Sequence, residues 1–138
     1  MRETADVALA GRDVPRLVLP ELNDIRLGSY EGCQLDDYRT WAHGNGPDVE
    51  PPGGGESRVA CVLRYLRAFE ALLGRPEATI LVVAHGLPVR YMLNAQEGVA
   101  PVAFLEQVPY AQPFPLTAGE FEAAVDLLER WTAAPAWA

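Results

Sequence analysis

The chain has no lysine, and it has few of the other residues that carry common chemistry. All 11 basic residues of the 138 are arginines, so chemistry based on a lysine amine is excluded. The two cysteines, Cys33 and Cys61, show no C-x-x-C spacing and no clustered histidines. This predicts free thiols in a reducing cytoplasm and no metal site or disulfide framework. No apolar run approaches ~20 residues, so no membrane-spanning helix is predicted.

The balance of charge excludes two further classes of partner. The net charge is -8 and the isoelectric point is about 4.7, whereas nucleic acids and anionic membranes bind basic faces. The hydrophobic content of 49% is ordinary for a soluble globular protein. The first residues have no signal-peptide character. We therefore expect a single domain, residues 1–138, located in the cytoplasm.

Periodic patterns predict an α/β fold with mixed or parallel strands and helices on both faces. Thr117 with Glu120 three residues later is typical of a capping box that begins the last helix. The predicted helices cover residues 3–10, 35–42, 57–73, 88–95 and 116–131, and the predicted strands cover residues 16–19, 79–84 and 106–111.

The stretch Ala78–Arg90, ATILVVAHGLPVR, is the most informative. Six apolar or β-branched residues predict a buried strand, and His85 and Gly86 follow where the strand ends and a helix begins. The N–H groups of a helix N-terminus suit an anion such as phosphate, and Gly86 lets that anion approach the backbone closely. Taken alone, this stretch is equally compatible with His85 as an anion-binding residue and with His85 as a structural, hydrogen-bonded residue at the end of a strand.

Three segments, in order, resemble motifs of the histidine phosphatase superfamily, whose fold is phosphoglycerate-mutase-like. They are LNDIRLGSYEG at Leu22–Gly32, PPGGGESR at residues 51–58 with Arg64 seven positions beyond Ser57, and ILVVAHGLPVR at Ile80–Arg90. The resemblance implies a three-layer sandwich with a mixed, mostly parallel sheet and helices on both faces, missing the first strand. It also implies a phosphomonoesterase that works through a phosphohistidine intermediate without a cofactor or metal.

The resemblance assigns roles residue by residue. His85 matches the histidine that holds the phosphoryl group, and Gly86 offers a backbone N–H beside it. Asp24 matches the carboxylate that protonates the leaving oxygen and then activates water. Glu56 and Ser57 begin the long helix beside the substrate pocket. Arg64 and Arg90 are expected to have structural or ion-paired roles. The implied ligand is a small phosphomonoester or phosphate.

The chain departs from the family in its nucleophile. No R-H-G motif is present, and the second histidine, His43, lies in the wrong segment. The second pocket arginine of the family is also missing, because Arg2 stands two positions too late. Since phosphoryl transfer needs both the attacking group and the positive groups around phosphorus, we expect no meaningful turnover.

Two origins fit this departure. The chain is an incomplete, truncated histidine phosphatase domain, or it is a non-catalytic module that binds a phosphorylated ligand or a protein. An unrelated α/β fold with a structural His85 is the third alternative. The sugar-phosphate grip of a glycolytic mutase is not expected, because Ile25, Arg26 and Leu27 follow Asp24 and no lysine exists.

Overall fold

The computed structural model describes residues 1–138, and its regular structure is entirely helical. The α-helices are α1 (Arg2–Ala8), α2 (Leu35–His43), α3 (Arg58–Leu73), α4 (Gly86–Gln96) and α5 (Ala118–Ala133); short 3₁₀ turns cover Pro20–Leu22 and Gly28–Tyr30. The five helices predicted from the sequence are confirmed, with ends that shift by a few residues. None of them combines the length and the apolar character that crossing a membrane requires.

The predicted α/β fold, a three-layer sandwich with a mostly parallel sheet, is wrong, because the structure has no β-strand. The three segments predicted as strands form no strand ladder, and residues 79–84 make no backbone–backbone hydrogen bond. A strand exists only where a partner pairs with its N–H and C=O groups, and no second segment does so here. As a result Ile80, Leu81 and Val82 remain 41%, 57% and 40% exposed.

Helix α3 supplies the largest share of the buried side chains, and α5 packs against both α3 and α4. Ser57 begins α3 as its N-cap, with its side chain accepting the Ala60 N–H, and Thr117 and Glu120 form the predicted capping box of α5. The buried positions follow the helical period of α3, and Leu63 lies off this buried face and is 45% exposed. The largest cluster of buried side chains is Leu22, Cys61, Val62, Tyr65, Leu66, Ala68, Phe69, Tyr91, Met92, Ala95, Ala124, Val125, Leu128 and Trp131.

Arg58 is a buried cation at the start of α3. Only 5% of the residue is exposed. Its Nε–H donates to the Tyr38 hydroxyl at 2.8 Å, and an Nη1–H donates to the Tyr91 hydroxyl at 2.7 Å. The guanidinium also lies 5.7 Å from the centre of the Trp137 ring. One side chain therefore joins α2, α3, α4 and the C-terminal segment.

Candidate phosphoryl-binding site

His85 stands at the N-terminus of α4, as the residue that caps the helix. Its backbone is extended, with φ -68° and ψ 166°, and the helix begins at Gly86. The N–H groups of Gly86 and Leu87 have no backbone acceptor, and Pro88 has no N–H to satisfy. A Cβ added to Gly86 would meet nothing within 4 Å, so the helix is not crowded on that side of Gly86. The His85 side chain is 37% exposed.

Asp24 lies beside this helix terminus, on the turn that follows the 3₁₀ helix Pro20–Leu22. Its Oδ2 is 3.9 Å from His85 Nδ1, and its Oδ1 accepts the Ile25 N–H at 3.0 Å. Leu22 is buried in the main core and Ile25 packs against it, so apolar side chains on both sides of Asp24 anchor the turn. The structure thus brings together the two residues that the sequence predicts as catalytic.

Arg64, on α3, holds the turn that carries Asp24. Its Nε–H and one Nη2–H donate to the two Glu56 carboxylate oxygens at 2.9 and 2.8 Å. Its other N–H groups reach main-chain carbonyls: Nη1 donates to Glu21 at 2.6 Å and Asn23 at 2.8 Å, and Nη2 donates to Asp24 at 3.3 Å. All five N–H donors of the guanidinium are therefore used within the protein. Arg64 is structural, as predicted, and has no donor left for a ligand.

Glu56 and Ser57 lie beside the site and are buried, at 5% and 6% exposure. The Glu56 N–H donates to the Arg26 carbonyl at 2.8 Å, and its carboxylate is paired with Arg64. Burial alone would raise the pKa of Glu56, but the hydrogen bonds and charge of Arg64, with the charge of Arg26, lower it below its ordinary value. Both side chains are thus engaged by protein groups, Glu56 by Arg64 and Ser57 as the N-cap of α3.

Glycines let the Pro/Gly-rich loop at residues 44–55 dock on the segment that follows Asp24. Gly28 has φ +60°, and a Cβ there would lie 2.2 Å from the Pro52 carbonyl oxygen. The adjacent Ser29 N–H donates to that same oxygen at 2.7 Å. Because any larger residue at Gly28 would collide with the loop, this position of the motif requires glycine. The loop is consequently part of the site's frame.

A cavity of about 180 Å³ opens beside Asp24. It has no hydrophobic lining residue, and its wall consists of Pro20, Asn23, Asp24, Arg26 and Arg64. The Arg26 guanidinium makes no hydrogen bond or ion pair, in contrast to that of Arg64. Arg26 was not among the predicted candidates, although its position two residues after Asp24 was a usable signal.

The remaining candidates lie elsewhere. His43 ends α2 and packs edge-on against Phe104, with 5.5 Å between ring centres. Arg90 donates to the carbonyls of Glu106 and Gln107, both at 3.0 Å, which is the predicted structural role. No group of three or more histidine, cysteine, aspartate or glutamate side chains is arranged to hold a metal ion.

Comparison with known proteins gives a family-level result. The family model described as "Histidine phosphatase superfamily (branch 1)" matches residues 1–132, which is nearly the whole chain. No curated protein and no solved structure matches the chain significantly.

Proposed function

Because this chain belongs to the histidine phosphatase superfamily, we propose that it carries the phosphate-holding and acid–base part of a phosphomonoesterase site. The observation that carries the proposal is the His85–Asp24 pair, 3.9 Å apart at the open N-terminus of α4. A phosphoryl group there meets an imidazole, two unpartnered backbone N–H groups and the positive end of a helix.

The proposed roles are those that the resemblance implies, and this geometry supports them. His85 and the N–H groups of Gly86 and Leu87 hold phosphoryl oxygens, whose negative charge needs donors around it. Asp24 keeps Oδ2 free of other hydrogen bonds, so it is placed to protonate a leaving oxygen and to activate water. Glu56 fixes Arg64, which lines the cavity beside Asp24, and Ser57 caps the helix that carries Arg64.

The attacking group is the part that the chain does not supply. His43 packs on Phe104, and no R-H-G motif exists in the sequence. Loss of the nucleophile alone costs ~10⁶-fold in the rate of a serine protease. We therefore propose that the chain is an incomplete, inactive form of the phosphatase. Its proposed location is a reducing cytoplasm, which suits two free thiols.

Titration calorimetry with inorganic phosphate tests the assignment. We expect saturable binding, and we expect His85→Gln to weaken it about tenfold or more while helicity by circular dichroism stays constant. His43→Gln is the matched control, because it removes the other imidazole. The assignment fails if phosphate binds equally well to the His85→Gln variant, or does not bind the unaltered chain at all.

A non-catalytic binding module is the second candidate, favoured by the absence of a nucleophile beside an otherwise formed anion site. Vanadate distinguishes the two, because with a water that Asp24 orients as its axial ligand it can adopt the five-coordinate geometry of phosphoryl transfer even without a protein nucleophile. The phosphatase assignment predicts that vanadate binds more tightly than phosphate and that Asp24→Asn reduces this preference. The module predicts no preference for vanadate.

A further inference from the structure

A second cavity, of about 430 Å³, opens between α2 and the segment that follows α4. Its wall is formed by Arg39 of α2 and by residues 104–107, and we refer to it as the Arg39 cavity. The volume lies within the roughly 300–1,000 Å³ that is usual for small-molecule sites. None of these residues lines the cavity beside Asp24, so the ligand of the Arg39 cavity is independent of the proposed function.

Two arginines fix the main chain of this wall. Arg39 donates from Nη2 to the Leu105 carbonyl at 2.8 Å. Arg90 of α4 donates to the next two carbonyls, those of Glu106 and Gln107, both at 3.0 Å. Three consecutive carbonyls are thus bound to α2 and α4, and the side chains of the wall start from a fixed backbone.

Arg39 keeps donors that can bind a carboxylate. A guanidinium has five N–H groups, and two of them are used, one on Leu105 and one on the Asp36 carboxylate at 2.9 Å. The remaining three have no acceptor in the protein. The Asp36 side chain is 81% exposed, and surface ion pairs of this kind contribute little, so Asp36 competes weakly with a ligand. The Arg39 side chain is only 21% exposed, so its position is restricted by packing.

The rest of the wall offers an anion and an apolar surface. The Glu106 residue is exposed, and its carboxylate makes no hydrogen bond or ion pair, not even with Arg39 in the same wall. Phe104 is 51% exposed although His43 packs against its ring, with 5.5 Å between ring centres. Leu105 adds aliphatic surface next to it. The cavity therefore combines a cation, an anion and an exposed aromatic ring.

We propose that the Arg39 cavity binds a free α-amino acid with an apolar side chain, such as phenylalanine. The ligand's carboxylate pairs with Arg39, its ammonium group pairs with Glu106, and its side chain packs on the Phe104 ring. A zwitterion matches both charges of the wall, whereas either end of a peptide carries only one of the two ligand charges. The simpler explanation is a solvated groove, which would not distinguish a zwitterion from other apolar molecules.

Three ligands separate these explanations. Phenylalanine carries both charged groups, 3-phenylpropanoate lacks the ammonium group, and 2-phenylethylamine lacks the carboxylate. In titration calorimetry we expect phenylalanine to bind at least about fivefold more tightly than either analogue. The chain's net charge of -8 favours the cationic amine, so a preference for phenylalanine over this amine would not come from overall charge.

Single variants assign each charged group of the ligand. Arg39→Gln should weaken phenylalanine and 3-phenylpropanoate at least about fivefold and change 2-phenylethylamine by less than about twofold. Glu106→Gln, at an exposed residue, should weaken phenylalanine and the amine instead. Arg39→Lys keeps the charge without the planar donors and should retain part of the affinity. Arg130→Gln is the charge-matched control, because Arg130 is exposed on α5 and does not line the cavity.

Several outcomes would overturn the inference. They are equal binding of the three ligands, tighter binding of either analogue than of phenylalanine, and no saturable binding of phenylalanine up to about 10 mM. If Arg39→Gln weakens all three ligands alike, with helicity by circular dichroism unchanged, Arg39 acts only by holding the Leu105 carbonyl and its assignment to the carboxylate is rejected. If Arg39→Gln does not fold, the Glu106→Gln pattern decides, and a preference for phenylalanine over 3-phenylpropanoate that survives this change rejects the proposal.

Discussion

Removing the Arg64 guanidinium tests the physical basis of the site most directly. The residues around it are largely buried: the Glu56 side chain is 5% exposed and that of Arg64 is 16% exposed. Arg64→Met keeps most of the aliphatic stem, leaves the Glu56 carboxylate buried without its partner, and frees three main-chain carbonyls. Breaking one partner of a buried ion pair costs about 3–5 kcal/mol. For a chain of this size that lowers the melting temperature by roughly 10–20 °C.

The pH dependence of this loss identifies its source. In the unaltered chain Arg64 holds the pKa of Glu56 below the ordinary 4.5, so the ionised pair stabilises the fold above about pH 4.5 and this stabilisation is lost as the pH falls through the lowered pKa. Without Arg64, burial becomes the dominant influence and raises the pKa of Glu56. The Glu56 carboxyl group of the variant then becomes protonated in mildly acid solution. Burying the neutral form costs less free energy than burying the carboxylate. The stability difference between variant and unaltered chain should therefore shrink between pH 7 and pH 5.

Urea unfolding followed by circular dichroism at pH 7 and pH 5 measures both effects. The double variant Glu56→Gln, Arg64→Met removes the buried charge as well, and it should recover about 1–2 kcal/mol relative to Arg64→Met at pH 7. Arg67→Met, on the exposed side of α3, is the control and should change stability by less than about 0.5 kcal/mol. A loss below about 1 kcal/mol for Arg64→Met, or a loss independent of pH, would refute the reasoning.

Two further predictions concern the thiols and the unpaired extended segment. Burial raises the pKa of the Cys61 thiol to about 12, whereas Cys33 is exposed. Iodoacetamide at pH 8 should therefore modify Cys33 alone in the native protein and both cysteines in urea, which mass spectrometry measures. The exposed aliphatic run at residues 80–82 should promote association, so light scattering should show a mass that grows with concentration; Leu81→Glu should suppress this, and an unchanged mass profile would contradict the explanation.

The helices could be predicted from the sequence because their signals are local. The Thr117–Glu120 capping box and the apolar period of α3 lie within a few residues of the structure that they specify. The strands could not be, since a run such as Thr79–Ala84 records only a preference for extended backbone, and pairing depends on a distant partner. Within the site, motif spacing predicted His85 and Asp24. Arg26 was not predicted, because the sequence does not show whether its guanidinium is paired with another group in the folded chain.

The helical frame also explains how the candidate site is held without a sheet. Two arginines on α3 fix its two halves: Arg64 binds the carbonyls of the turn that carries Asp24, and Arg58 donates to Tyr91 on α4, whose N-terminus presents His85. Both guanidiniums are surrounded by fixed hydrogen-bond acceptors, so each restricts the orientation of the element it contacts. The distance between His85 and Asp24 is therefore set through α3. Because the two contacts lie on one helix, a change at either arginine should alter phosphate binding without removing a group proposed to hold the phosphate.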